Sequence, residues 1–169
     1  TAAVNALSRG GFGMGAQSIY AYGALAIWRK GDSASTIAGL ANSGIKSIAI
    51  ANPAVAPYGA AAIDALKHAG IYDRVQSHLI QAENISQVNT YINTGTVDAA
   101  LTSASTIKTL GNAGGRWNEV PDSLYSPIAQ GMIVIKRTGA HDEAAGKFFA
   151  FVLSPKGRDV LVSYGYRVR

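Results

Sequence analysis

At 169 residues, 48% of them hydrophobic and 15% charged, the chain has room for one domain or two small lobes sharing a core and is too apolar to be disordered. Its net charge of +5 is scattered, the densest cluster being Arg167-Val168-Arg169, which excludes a basic nucleic-acid arm and leaves a mild positive field suited to a small anion. With no cysteine there is no disulfide, no thiolate metal site and no cysteine nucleophile.

In chain order, residues 2–8 read as a helix and "RGGFGMGAQ" as a glycine-rich turn. The glycines of "GFGMG" are not a dinucleotide fingerprint, because that motif needs a strand before it and a helix after it. Residues 18–28 form an apolar β run, 37–42 a short helix, 47–51 a buried strand and 58–68 an alanine-rich helix. A short strand is expected at 75–79, a helix at 85–93, a strand at 99–101 and a helical turn at 105–109. "GNAGGRWNEVPDS" reads as a surface loop, 125–137 as mostly strand, and 143–153 and 155–163 as two closing helices. This alternation predicts an α/β fold with helices on both faces of a mixed, mostly parallel sheet. No run approaches the ~20 apolar residues of a membrane span, so the chain is not expected to cross a bilayer. No signal peptide is expected within it, which fits either a cytosolic protein or a mature or trimmed form.

A catalytic constellation is not expected. His68, His78 and His141 match no metal-ligand spacing, and there is no G-x-S-x-G elbow and no P-loop. The chain therefore reads as a non-enzyme without direct cation ligands or a cofactor. Two helix starts are more informative. Pro57-Tyr58-Gly59 opens one helix with no acid in its first turn. In "QAENISQVNTYINTG", Asn84 is a cap, Gln87 three residues on completes a capping-box-like pair, and Gly95 ends the helix. Each is equally an ordinary helix start. If the two converge, their free N–H groups and partial positive charges make a neutral cradle for a small, fully ionised oxyanion.

The segments "AIANPAVAPYGAAAIDAL", "QAENISQVNTYINTGTVDAALTSAS" and "YSPIAQGMIVIK", with a last helix closing on "SYGY" and the upstream "SIYAYGALAIW", occur in this order. In order and spacing the chain resembles the periplasmic molybdate-binding proteins of ABC importers, over nearly its whole length. The resemblance implies a type II periplasmic-binding fold of two lobes, with residues 28–128 as lobe two and residues 1–27 and 129–169 as an incomplete lobe one with hinge strands. It also implies that molybdate or tungstate is held by hydroxyl and backbone N–H donors and handed to a membrane permease. Tyr58 matches a tyrosine ligand of the "APYG" box in one branch of the family, and Ile85 the aliphatic residue whose backbone N–H faces the anion. In the other branch the tyrosine stands at the position of Ser103, which is therefore not expected to be a ligand here. A periplasmic location is implied, or a lipid-anchored extracellular one in a Gram-positive. The resemblance starts after the two hydroxyl-bearing loops of lobe one, so roughly fifty to sixty residues of that lobe are expected to be missing. Its exposed edge then becomes a surface for dimerisation. The alternatives are an oxyanion-sensing domain of a transcriptional regulator and a fragment that does not bind.

Overall fold

A computed structural model describes residues 1–31, 35–111, 113–137 and 142–168. His141 lies outside the described residues. The chain divides into two compact units, Ala24–Ile128 and, from its two ends, Thr1–Gly23 with Ala129–Arg169.

The larger unit is a five-stranded sheet. In chain order it carries β2 (Leu25–Lys30), β3 (Ile48–Ala51), α2 (Pro57–His68), α3 (Tyr72–Val75), β4 (Leu79–Ala82) and α4 (Ile85–Thr94). β5 (Ala99–Ser103), α5 (Ala104–Leu110) and β6 (Gly115–Glu119) follow. The strand order is β4-β3-β5-β2-β6. β3 runs parallel to both β4 and β5, whereas β2 is antiparallel to β5 and β6.

Period-2 alternation sorts the strands' side chains onto two faces that differ in size. Leu25, Ile27, Ile48, Ile50 and Leu101 point to one face, where α2 meets them with Ala61, Ala62 and Ala65. On the other face the strands offer Ala26, Ala49, Ala51 and Ala100, and here α4 and α5 supply the bulk with Val88, Ile92 and Ile107. Large residues on the strands thus meet small ones on α2, whereas on the opposite face Trp28 stands among alanines and the helices supply the other large side chains. That complementarity is why an alanine-rich helix is stable here although it carries few large apolar groups of its own.

The smaller unit contains α1 (Ala2–Arg9), β1 (Gly13–Gly23), β7 (Ile128–Ile135, whose first residue belongs to the larger unit), α6 (Asp142–Leu153) and α7 (Pro155–Ser163). β1 pairs with β7 in a two-stranded sheet, and Tyr22 is bridged to Arg167. No described residue of α1 or α6 is buried, and Phe148 is 67% exposed.

The structure departs from the sequence reading at four places. The glycine-rich stretch is strand from Gly13 onward, because pairing with β7 supplies the backbone partners that a turn would otherwise provide. The apolar run 18–28 is two strands in two different sheets, broken at Ala24. Residues 75–79 are helical as far as His78, and the strand starts only at Leu79, where it comes into register with Ile48. The expected loop after α5 contains β6, an edge strand that places Trp117 opposite Trp28. Its exposed polar residues hid it from a hydrophobicity pattern.

Candidate functional site

Of the three parallel strands β3 comes first, and the chain then steps through α2 and α3 to β4 on one side. From β4 it crosses back through α4 to β5 on the other side of β3. The two crossover helices cover opposite faces, so the connections diverge between β3 and β5. In open α/β sheets the crevice at such a divergence, outside the carboxyl ends of the strands, is where ligands bind. Three helices begin at that edge: α2 after β3, α4 after β4 and α5 after β5. None carries an acidic residue in its first turn.

α2 starts without a side-chain cap. Ala56 is extended (φ −113°, ψ 120°), as the residue before a proline is obliged to be, and Pro57 occupies the first turn, where its missing N–H costs no helical bond. Asn52 organises the approach: its N–H donates to the Ala82 carbonyl at 2.7 Å, tying the ends of β3 and β4 together, and its Oδ1 accepts from the Ala54 N–H at 3.0 Å. Gly59 is required by close approach, since a Cβ there would run into the Ala51 carbonyl at the end of β3. The helix mouth therefore sits directly on the strand end. Tyr58, between Pro57 and Gly59, is partly buried and packs against the α2 face of the core.

α4 is capped as the sequence suggested, with one change. Asn84 Oδ1 accepts from the Gln87 N–H at 3.0 Å. The Gln87 side chain reaches back past Asn84 to accept from the Glu83 N–H at 2.7 Å. Gly95 closes the helix in the left-handed conformation, φ 63°. Among the described residues no acceptor meets the N–H groups of Ile85 and Ser86, so α4 presents two free donors at the positive end of its dipole. The Ile85 side chain packs beneath them in the α4 face of the core. The exposed Glu83 is the nearest acid before this turn.

α5 is capped by Ser103, whose Oγ accepts from the Thr106 N–H at 3.2 Å, lies 2.6 Å from the Thr106 hydroxyl and accepts from Ser105 Oγ at 3.3 Å. Ser103 is 3% exposed. Its oxygen is thus committed inside the protein. The Ser-x-x-Thr spacing was the available signal for this cap; the Ser86 donor had none, because a backbone N–H leaves no trace in side-chain identity.

Alongside, the Tyr125 hydroxyl accepts from the Leu25 N–H at 3.1 Å and donates to Asp122 Oδ1 at 2.9 Å. Burial pushes its phenol above the ordinary range, with the Glu119 charge adding to this and the Leu25 bond opposing it, so the proton it donates is retained. His68 holds the far end of α2: its Nδ1 sits 2.9 Å from the Asp64 carbonyl and 3.0 Å from the Leu124 carbonyl. Two acceptors facing one ring nitrogen require that nitrogen to carry the proton. Among the described residues no cluster of three or more His, Cys, Asp or Glu could hold a metal ion.

Residues 1–167 match the family model of bacterial extracellular solute-binding proteins. The chain is 32% identical over 157 residues to the molybdate-binding protein ModA of Rhodobacter capsulatus, covering 90% of this chain and 60% of that one. It is 32% identical over 161 residues to ModA of Azotobacter vinelandii, covering 93% and 63%. The solved structure of the Azotobacter vinelandii periplasmic molybdate-binding protein superposes with a TM-score of 0.86 at 28% identity, over 98% of this chain and 74% of that one. The chain spans about three fifths of the length of the curated relatives it matches. With its doubly wound sheet and its match along nearly the whole length, the chain belongs to the bacterial extracellular solute-binding protein family.

Proposed function

We propose that the chain is the oxyanion-holding part of a transport receptor, with molybdate or tungstate as ligand and the permease of an ABC importer as its partner. In this reading residues 28–128, within the compact unit Ala24–Ile128, are lobe two, residues 1–27 and 129–169 belong to lobe one, and the protein works in the periplasm or, lipid-anchored, outside a Gram-positive cell. The observation that carries it is the set of acid-free helix mouths at the divergence of the sheet, with the Ile85 and Ser86 N–H groups unclaimed. The Ile85 N–H and the Tyr58 hydroxyl supply the lobe-two donors. A cradle of donors without a lysine or arginine binds by counted hydrogen bonds. It favours a fully ionised tetrahedral anion over phosphate, which carries a proton near neutral pH and needs an acceptor. The likeness to two molybdate-binding proteins at 32% identity supports the choice of ligand. The exposed apolar side chains of the smaller unit, Phe12 and Phe148 among them, support self-association through the lobe-one edge.

Calorimetric titration of the 169-residue chain with molybdate, with sulfate as control, tests the reading. Molybdate is expected to bind more tightly than sulfate. The Tyr58→Phe variant is expected to stay folded and to lose about tenfold to a hundredfold in affinity, the effect of one hydrogen bond to a charged group. Equal affinity in wild type and variant would remove Tyr58 from the site, and absence of any molybdate binding would sink the reading for this chain.

A further inference from the structure

The last two residues of β5 point to opposite sides, and each engages a helix that starts at the crevice. Ser103 caps α5. Thr102, fully buried, donates its hydroxyl to Asn89 Oδ1 of α4 at 2.7 Å. Asn89 is itself 8% exposed and sits one turn below Ile85, on the face of α4 that meets the sheet. Around the pair the layer is apolar: Ala49, Ala51, Ala82, Ala100, Val88 and Ile92. Apolar packing is non-directional and tolerates a helix that slides or rolls by a fraction of a turn. A buried hydroxyl–amide bond does not, because moving either partner leaves a desolvated polar group unpaired.

We infer that Thr102 and Asn89 are positioning residues that fix α4 against β5, and thereby fix where the Ile85 and Ser86 N–H groups stand at the carboxyl edge. The functional half of this inference rests on the oxyanion reading of the preceding subsection; the structural half does not. The bond accounts for a polar pair in a layer that small apolar residues would otherwise fill. It ties the donor helix to the same strand end that caps α5, so two helix mouths share one anchor.

Thr102→Val keeps the shape and deletes the bond, Thr102→Ser keeps the hydroxyl, and the double variant Thr102→Val/Asn89→Leu removes both polar partners so that neither is left orphaned. Backbone amide resonances of Ile85 and Ser86 in the ligand-free chain give the first readout, and molybdate affinity by calorimetry the second. Thr102→Val is expected to shift both amide resonances and to weaken molybdate binding about tenfold. Thr102→Ser is expected to match wild type in both. The double variant is expected to unfold at or above the wild-type midpoint yet to bind as weakly as Thr102→Val, an outcome that lost stability cannot produce. Unmoved Ile85 and Ser86 amides in Thr102→Val overturn the positioning role, as does wild-type affinity in the double variant. If wild type itself binds no molybdate, the oxyanion reading fails and the amide shifts alone decide whether the pair positions α4.

Discussion

Asp98 shows what one side chain does for the sheet far from the helix mouths. Its Oδ2 accepts from the Lys46 N–H at 2.8 Å, the Ser47 N–H at 2.9 Å and the Ser47 hydroxyl at 3.0 Å, stapling the chain just before β3 to the chain just before β5. The Lys46 bond, helped by Ser47 and the Lys30 charge and opposed by partial burial, holds its carboxyl below the ordinary value of 3.8. A carboxylate with a depressed folded pKa stabilises the fold above its unfolded pKa, and that contribution is lost as pH falls through the folded value. The stability gap between wild type and Asp98→Asn is therefore expected to be full at pH 7 and to narrow below about pH 4, read as urea midpoints. A gap independent of pH would deny the staple. Gly59 is the second residue-scale test. Gly59→Ala forces a methyl onto the Ala51 carbonyl and is expected to cost about 1–3 kcal/mol in urea unfolding, the range for overpacking a filled site. The sequence showed that a glycine stood there. That it serves close approach, and not a turn, depends on β3 ending beneath it.

Among elements, α4 was the most legible from sequence: Asn84, Gln87 and Gly95 mark both ends through local chemistry, and the observed helix Ile85–Thr94 differs by one residue from the expectation. Its start also permits a clean test of the backbone donor. Asn84 is extended at φ −154° and ψ 176°, which a following proline accepts, and the Ile85 N–H makes no helical bond. Ile85→Pro is expected to fold, with a midpoint lowered by the lost packing of the isoleucine side chain, and to bind molybdate about tenfold or more weakly, whereas Ile85→Val should bind like wild type. Matching affinities would remove that N–H from the site. β6 is the opposite case. Its residues alternate weakly, and its identity as a strand comes from β2 lying beside it, a partner more than eighty residues earlier in the chain.

For the molecule as a whole, burial divides the two units. The side chains of Leu25, Ala26, Ile27 and Trp28 in β2 and those of β3 and β5 are almost wholly inaccessible, whereas in the smaller unit Phe12, Ile19, Phe148, Phe151 and Val162 are exposed. A two-stranded sheet with little buried apolar area is marginal by itself. Limited chymotrypsin digestion is expected to cut first at Phe148, Phe151 or Phe12, while amide exchange is slowest in β2, β3 and β5. First cleavage within Ala24–Ile128 would contradict this ordering.

Local chemistry was determined by the sequence alone: helix ends written in caps and glycines, buried strands written in apolar runs, and the proline-tyrosine-glycine start of α2. Motif resemblance added the family, which the match over residues 1–167 then established. Only the tertiary structure decided which strands are neighbours, that α2, α4 and α5 begin along one sheet edge, and which N–H groups remain unclaimed there. The physical reason is range. A cap is settled within four residues, but strand order and the fate of a backbone donor depend on chain segments that sequence separates and packing brings together.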